Sequence, residues 1–153
     1  MAESGSRIVV GIDGSDESRS ALEWAVAEAR LRDASVLAIH AYMIPPLLMA
    51  PEPVPTGPPA IPDADLAERL EKGAHVLVDE ELAKVDDDKV TVEGRVVSGA
   101  AADALLQAAR DADMIVVGTR GRGGFSGLLL GSVSQQLPPH APCPVVVVPR
   151  GKT

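Results

Sequence analysis

Gly118, Gly121, Gly131 and Ser132 are the residues of this 153-residue chain whose types and spacing best suit chemistry. They lie in GTRGRGGFSGLLLGS (118–132), where six of the fifteen positions are glycine. Glycine in ordered backbone costs entropy, so a cluster implies turns that other residues cannot make, or a backbone that something approaches closely. The order is glycine, two residues, glycine, nine residues, glycine, serine. An apolar run leads in and a short helix-like stretch leads out. Gly131 and Ser132 then fall at a helix N-terminus, where free N–H groups and the helix dipole favour an anion such as phosphate. The Ser132 hydroxyl can donate to that anion or take part in capping the helix. Arg120 and Arg122 add positive charge in a chain whose net charge is −8. A second glycine pair, Gly11 and Gly14 in GIDGS (11–15), holds Asp13 between its members.

Two other phosphate loops do not fit. A G-x-x-x-x-G-K-[ST] loop built on Gly151-Lys152-Thr153 would need its first glycine at position 146, which is Val146. A dinucleotide fingerprint read from Gly121 and Gly123 places its third glycine on Ser126, and His40-Ala41-Tyr42 offers no acid for a ribose.

The elements that must position these residues alternate along the chain. RIVVGI (7–12), VLAIHAY (36–42), VTVEGRVV (90–97), MIVVG (114–118) and PVVVV (144–148) are short, rich in β-branched residues and bounded by Gly, Pro or Asp. They read as strands, and three are continuous enough to be covered on both faces. Between them run helical periods. Segment 16–31 places Leu22, Ala25, Val26 and Ala29 on one face, and 63–84 does so with Leu66, Leu70, Ala74, Leu77 and Val78. Segment 100–111 offers Leu105, Leu106 and Ala109, and a short helix from about Gly131 must stop before Pro138 and Pro139. Strictly alternating strands and helices argue for an α/β protein with a parallel sheet covered on both faces. If the first and fourth strands are neighbours, both glycine loops open into one crevice. Residues 43–62 hold eight of the thirteen prolines and read as an extended loop inserted into a single domain spanning 1–153.

Composition narrows the partners. Aromatics are 2% of the chain, so the core is aliphatic and base stacking on exposed rings is nearly ruled out. With 22 acidic and 14 basic residues the surface repels nucleic acid and anionic membranes. The acidic run DEELAKVDDD (79–88) reads as a solvated helix end and turn. MAESGSR at the N-terminus contains no apolar signal region, and the expected address is the cytoplasm. Cys143, the sole cysteine, sits between two prolines without a nearby base and reads as a small buried apolar residue. His40, His75 and His140 show no metal-ligand spacing. Trp24 is a helix-packing residue. Gly123, Gly124 and Gly127 read as turn flexibility. Asp13 is either a turn or capping residue for the first helix or a ligand contact, and Ser15 is a second candidate cap.

The pattern G-x2-G-x9-G-[ST] over 118–132, with VVGIDGS (9–15) early and CPVVVVP (143–149) late, resembles the universal stress proteins, specifically their ATP-binding subclass. The resemblance covers nearly the whole chain outside the 43–62 loop. It implies an open five-stranded parallel sheet in order 3-2-1-4-5, Rossmann-like, with an adenine nucleotide at the switch point. Gly118, Gly121, Gly131 and Ser132 would hold phosphates and ribose, with Arg120 and Val133 beside them. Ile12 and Asp13 would lie near the adenine or ribose, and the backbone of Ala41 would meet the adenine edge. The last strand, 144–148, would form a homodimer. Arg120 departs from the histidine that many relatives carry, and Pro138 and Pro139 shorten the last helix. The function implied is regulatory ATP binding in a stress response, without a catalytic base or nucleophile and with at most slow incidental hydrolysis. Mg²⁺ would be held mainly by phosphates and water. The alternatives are a module for AMP or cyclic AMP, a nucleotide-free protein-interaction adaptor, and an adenylating or ATP-hydrolysing enzyme.

Overall fold

The β-branched runs become five strands: β1 (Arg7–Gly11), β2 (Ser35–Tyr42), β3 (Val92–Ser98), β4 (Met114–Gly118) and β5 (Val145–Val148). The helices are α1 (Asp16–Arg32), α2 (Ala64–Ala83), α3 (Ala101–Ala108) and α4 (Ser132–Gln136), with a 3₁₀ turn at Ala109–Asp111. The computed structural model describes residues 5–44, 64–120 and 130–151. Most of the proline-rich 43–62 segment lies outside these described residues, as do Gly121, Arg122, Gly123, Gly124 and Gly127.

All four strand pairings are parallel, in the order β3-β2-β1-β4-β5. The sequence expectation for sheet type and strand order therefore holds. Strand alternation divides the core into two layers. Ile8, Val10, Val36, Ala38 and Val116 pack with Leu22, Ala25, Val26 and Ala29 of α1 and Val78 of α2. Val9, Leu37, Ile39, Ile115 and Val117 pack with Leu105 of α3 and with Leu137, the residue after α4. Thus α1 and α2 cover one face, and α3 and α4 the other. β1 sits between β2 and β4, so connections from the sheet centre leave in opposite directions and open a crevice beyond the strands' carboxyl ends. Trp24 packs against the first layer and Cys143 against the second, where burial raises the thiol pKa. Trp24 matches its packing role read from the sequence, and Cys143 packs against the core but is only half-buried rather than buried.

Two sequence readings change. The third strand starts at Val92 rather than residue 90, although the Thr91 carbonyl already accepts from Val36 N–H at 2.9 Å. The acidic run is not wholly solvated, for Glu81 is 4% exposed. Its Oε1 accepts from Lys84 Nζ at 2.8 Å and from Arg19 Nη2 at 3.3 Å. Burial pushes the Glu81 pKa up, but these two bonds outweigh it and hold the carboxyl below its ordinary value.

The chain's start is fastened to β4 by Asp113. One carboxylate oxygen accepts from Arg7 N–H and from the Ser6 hydroxyl, each at 2.8 Å. The Arg7 backbone bond, then the Ser6 bond, lowers the Asp113 pKa from the ordinary 3.8. A depressed folded-state value means that the stabilisation is complete above 3.8 and fades as pH falls through the folded value. Asp113→Asn is therefore expected to flatten the acid limb of a plot of melting temperature against pH. A limb unchanged by the substitution would contradict this assignment.

Candidate functional site

β1 and β4 are adjacent, with Ile8, Val9 and Val10 opposite Met114, Ile115 and Val116, so both glycine loops leave the same end of the sheet. In the first loop, Gly14 has φ of +80°, a left-handed conformation that favours glycine. The turn brings Ser15 to the N-cap of α1, where its side chain accepts from Ser18 N–H at 3.2 Å. Asp13 is the support for that cap. Its Oδ1 accepts from Ser15 N–H at 2.9 Å and from the Ser15 hydroxyl, while Asp13 N–H donates to Ser18 Oγ at 3.2 Å. Of the two candidate caps, then, Ser15 is the cap and Asp13 the turn residue beneath it. Ser18, which is buried, escaped the sequence reading; its hydroxyl closes the network on the Ser15 carbonyl.

The second loop meets the first through Gly118. A Cβ at Gly118 would lie 2.8 Å from the Glu17 carbonyl carbon and 2.9 Å from its oxygen. The close approach that requires this glycine is that of the chain's own helix α1. Beyond it, Thr119 N–H donates to the Val148 carbonyl at 3.1 Å, and the Thr119 carbonyl accepts from Gly131 N–H at 2.6 Å. Gly131 N–H is thus engaged within the protein. Gly131 is the N-cap of α4, with φ −75° and ψ 171°, an extended conformation open to any residue. The residue itself is buried.

The first intrahelical bond of α4 runs from Gln135 N–H to the Gly131 carbonyl at 3.0 Å. The N–H groups of Ser132, Val133 and Ser134 precede it and lack intrahelical acceptors. Ser132 is exposed, and no side chain caps this helix. Its hydroxyl has no capping duty. Ser134, which the sequence reading did not single out, is the structural serine. It is buried, and its hydroxyl lies 3.0 Å from the Gly131 carbonyl and 3.1 Å from that of Thr119. It fixes the start of α4 to the end of β4. Arg120 is half-buried at the edge of the described residues, and Val133 packs partly into the second core layer.

The third wall is the end of β2. Ile12 is 4% exposed, and its N–H donates to the Ile39 carbonyl at 2.9 Å. Because polar groups alternate between strand edges, Ala41 directs its N–H and C=O to the same edge as Ile39. The β1–β2 pairing stops at Gly11 opposite Ile39, so this edge of Ala41 extends past β1. Thus Ile12, Asp13, Ala41, Gly118, Arg120, Gly131, Ser132 and Val133 all gather around the ends of β1, β2 and β4, whereas Gly121 lies outside the described residues.

Elsewhere, a cavity of about 490 Å³ lies between α1 and the end of α2, lined by Leu22, Val26, Leu31, Glu81 and Val85 among others. It is on the α1/α2 face, away from the glycine loops. Among the described residues no three metal-ligating side chains cluster, and no helix is long and apolar enough to cross a membrane.

The family model of the universal stress protein family matches residues 6–149. A universal stress protein of Thermus aquaticus is 40% identical over 148 residues, covering 92% of this chain and 96% of its own length. The chain spans about half the length of several mycobacterial relatives, 47% in one from Mycobacterium tuberculosis. A universal stress protein solved in complex with cAMP superposes with a TM-score of 0.63 at 27% identity, over 97% of this chain and all of that one. An Arabidopsis thaliana family protein with AMP bound shares the fold, with a TM-score of 0.63, 22% identity, and coverage of 95% and 92%.

Proposed function

Because the chain belongs to the universal stress protein family, we propose that it binds ATP with Mg²⁺ and acts as a regulatory homodimer rather than as a turnover catalyst. The observation that carries the proposal is the junction of Gly118, Thr119 and Gly131, which ties the helix start bearing the exposed Ser132 to the end of β4, the neighbour of β1. Ser132 and the leading N–H groups of α4 suit phosphate oxygens. The Ala41 backbone suits the edge of a base, and Asp13 borders the space between. Mg²⁺ would be held by phosphates and water. Titration calorimetry on ligand-free protein is expected to show ATP binding in the presence of Mg²⁺. Absence of heat and of a thermal shift at millimolar ATP would refute the reading.

The relative solved with cAMP, at 27% identity, supports a second reading in which AMP or cyclic AMP fills the same crevice. Mass spectrometry of ligand released from gently purified protein separates the two.

The homodimer rests on β5. It is an edge strand, and an open apolar edge invites pairing with a second chain. Ile115 N–H donates to the Pro144 carbonyl and Thr119 N–H to the Val148 carbonyl, so even-numbered residues face β4. Val145 and Val147 therefore offer their N–H and C=O at the open edge. Two copies pairing antiparallel there would close it under two-fold symmetry. Val147→Pro removes one outward N–H and leaves the β4 ladder intact. Light scattering is expected to give a dimer mass for the unmodified protein and a monomer mass for Val147→Pro. A monomer before substitution would refute the dimer.

A further inference from the structure

His40 sits one residue before the backbone edge assigned to the base, and its ring does something unusual for a strand residue. Its Nδ1 lies 2.9 Å from the carbonyl oxygen of Ile12. A carbonyl only accepts, so Nδ1 carries the hydrogen and donates. In a parallel pair that continued one step further, Ile12, having donated to the Ile39 carbonyl, would accept from Ala41 N–H. That bond is not formed among the described residues; the ladder ends at Gly11 opposite Ile39. His40 instead donates to the carbonyl that Ala41 would have used.

We infer that His40 is a positioning residue for adenine recognition. By taking the Ile12 carbonyl, it stops β1 from zipping further along β2, which leaves Ala41 N–H facing the crevice as a donor for an acceptor nitrogen of the base. The same bond holds the Ile12–Asp13 peptide, and Asp13 in turn supports Ser15 at the cap of α1. The half-buried ring lies on the α1/α2 face beside Ile12, so its reach to the Ile12 carbonyl needs no movement of the sheet. A side-chain donor that terminates a ladder creates an unpaired backbone edge at a defined residue. An apolar residue at position 40 would let the two strands close on each other and bury that edge.

The inference rests on the nucleotide reading above but fails separately from it. The unmodified protein tests it first, by amide hydrogen exchange. Ala41 N–H is expected to exchange rapidly in ligand-free protein, unlike the ladder amide of Ile39, and to become protected when adenosine is added. Two variants test the cause. His40→Leu removes the donor and is expected to weaken adenosine and ATP by about the same factor, on the order of tenfold for one neutral hydrogen bond. His40→Asn keeps an N–H donor near the Nδ1 position and should restore most of the affinity. An Ala41 amide already protected in ligand-free protein overturns the inference, even if His40→Leu does not fold. So does a folded His40→Leu with native affinity for adenosine. If ATP fails to bind the unmodified protein at all, the nucleotide reading falls instead.

Discussion

Alanine at Ser132 is expected to weaken the proposed ATP binding by roughly 10- to 150-fold, the worth of one hydrogen bond to a charged group, and to leave the melting temperature unchanged. The two halves of this expectation come from different observations. The affinity loss follows from an exposed hydroxyl at the start of α4, beside N–H groups without intrahelical acceptors. The constant stability follows from the absence of any side-chain cap on that helix. Ser134 supplies the contrast. Its single hydroxyl hydrogen is shared between the buried Thr119 and Gly131 carbonyls, which also accept from the Gly131 and Gln135 N–H groups, so Ser134→Ala should lower stability by about 0.5–1.5 kcal/mol, the worth of one neutral hydrogen bond. Gly131→Val should be worse for binding than Ser132→Ala. Its backbone conformation suits valine, but the residue is buried, and its N–H is held to Thr119 at 2.6 Å. Calorimetric titration with a thermal melt on each variant makes the comparison. Native ATP affinity in folded Ser132→Ala and Gly131→Val would reduce the loop to a turn and remove the nucleotide proposal.

What the sequence made legible was set by local physics. Runs such as MIVVG and VVVV have no helical periodicity and carry β-branched residues, so their state needs no knowledge of neighbours. The last helix ends at Gln136, with Leu137 as its cap just before Pro138, as the prolines require. The first glycine loop, GIDGS (11–15), was legible as a turn for the same reason, while most of the second lies outside the described residues. The residues missed are those whose roles depend on a distant partner. Glu81 sits in a run that looks solvated, and only the packing of α1 against α2 supplies Arg19, sixty-two residues away, to keep it buried. His40 was read as one of three scattered histidines; its partner is a backbone carbonyl twenty-eight residues earlier, which no side-chain pattern reveals. Ser134 and Ser132 are two positions apart and chemically identical. Which one faces the core follows from the phase of a five-residue helix, too short for periodicity to fix.

Gly118 illustrates the limit of reading a motif by its spacing, and its substitution should have the largest effect on the fold. The spacing assigns it to a phosphate set, yet the atoms closest to an added Cβ belong to Glu17: the carbonyl carbon and Cβ at 2.8 Å and the carbonyl oxygen at 2.9 Å. Two of these three atoms are backbone, so no rotamer change relieves the contact. Gly118→Ala must lift the first turn of α1 from the end of β4, at about 1–3 kcal/mol, with valine costing more. For a domain of this size that is a fall in melting temperature of about 3–10 °C. Because the displaced turn also carries the Ser15 cap and the Asp13 support beneath it, ATP affinity should fall in the same variant. Loss of stability and affinity together is the signature of a residue that shapes the site through packing, whereas Ser132→Ala should lose affinity alone. A Gly118→Ala protein that melts at the native temperature would show that α1 and β4 are not in the contact that defines this crevice. If it kept its stability and lost ATP binding, the glycine would instead be making room for the ligand.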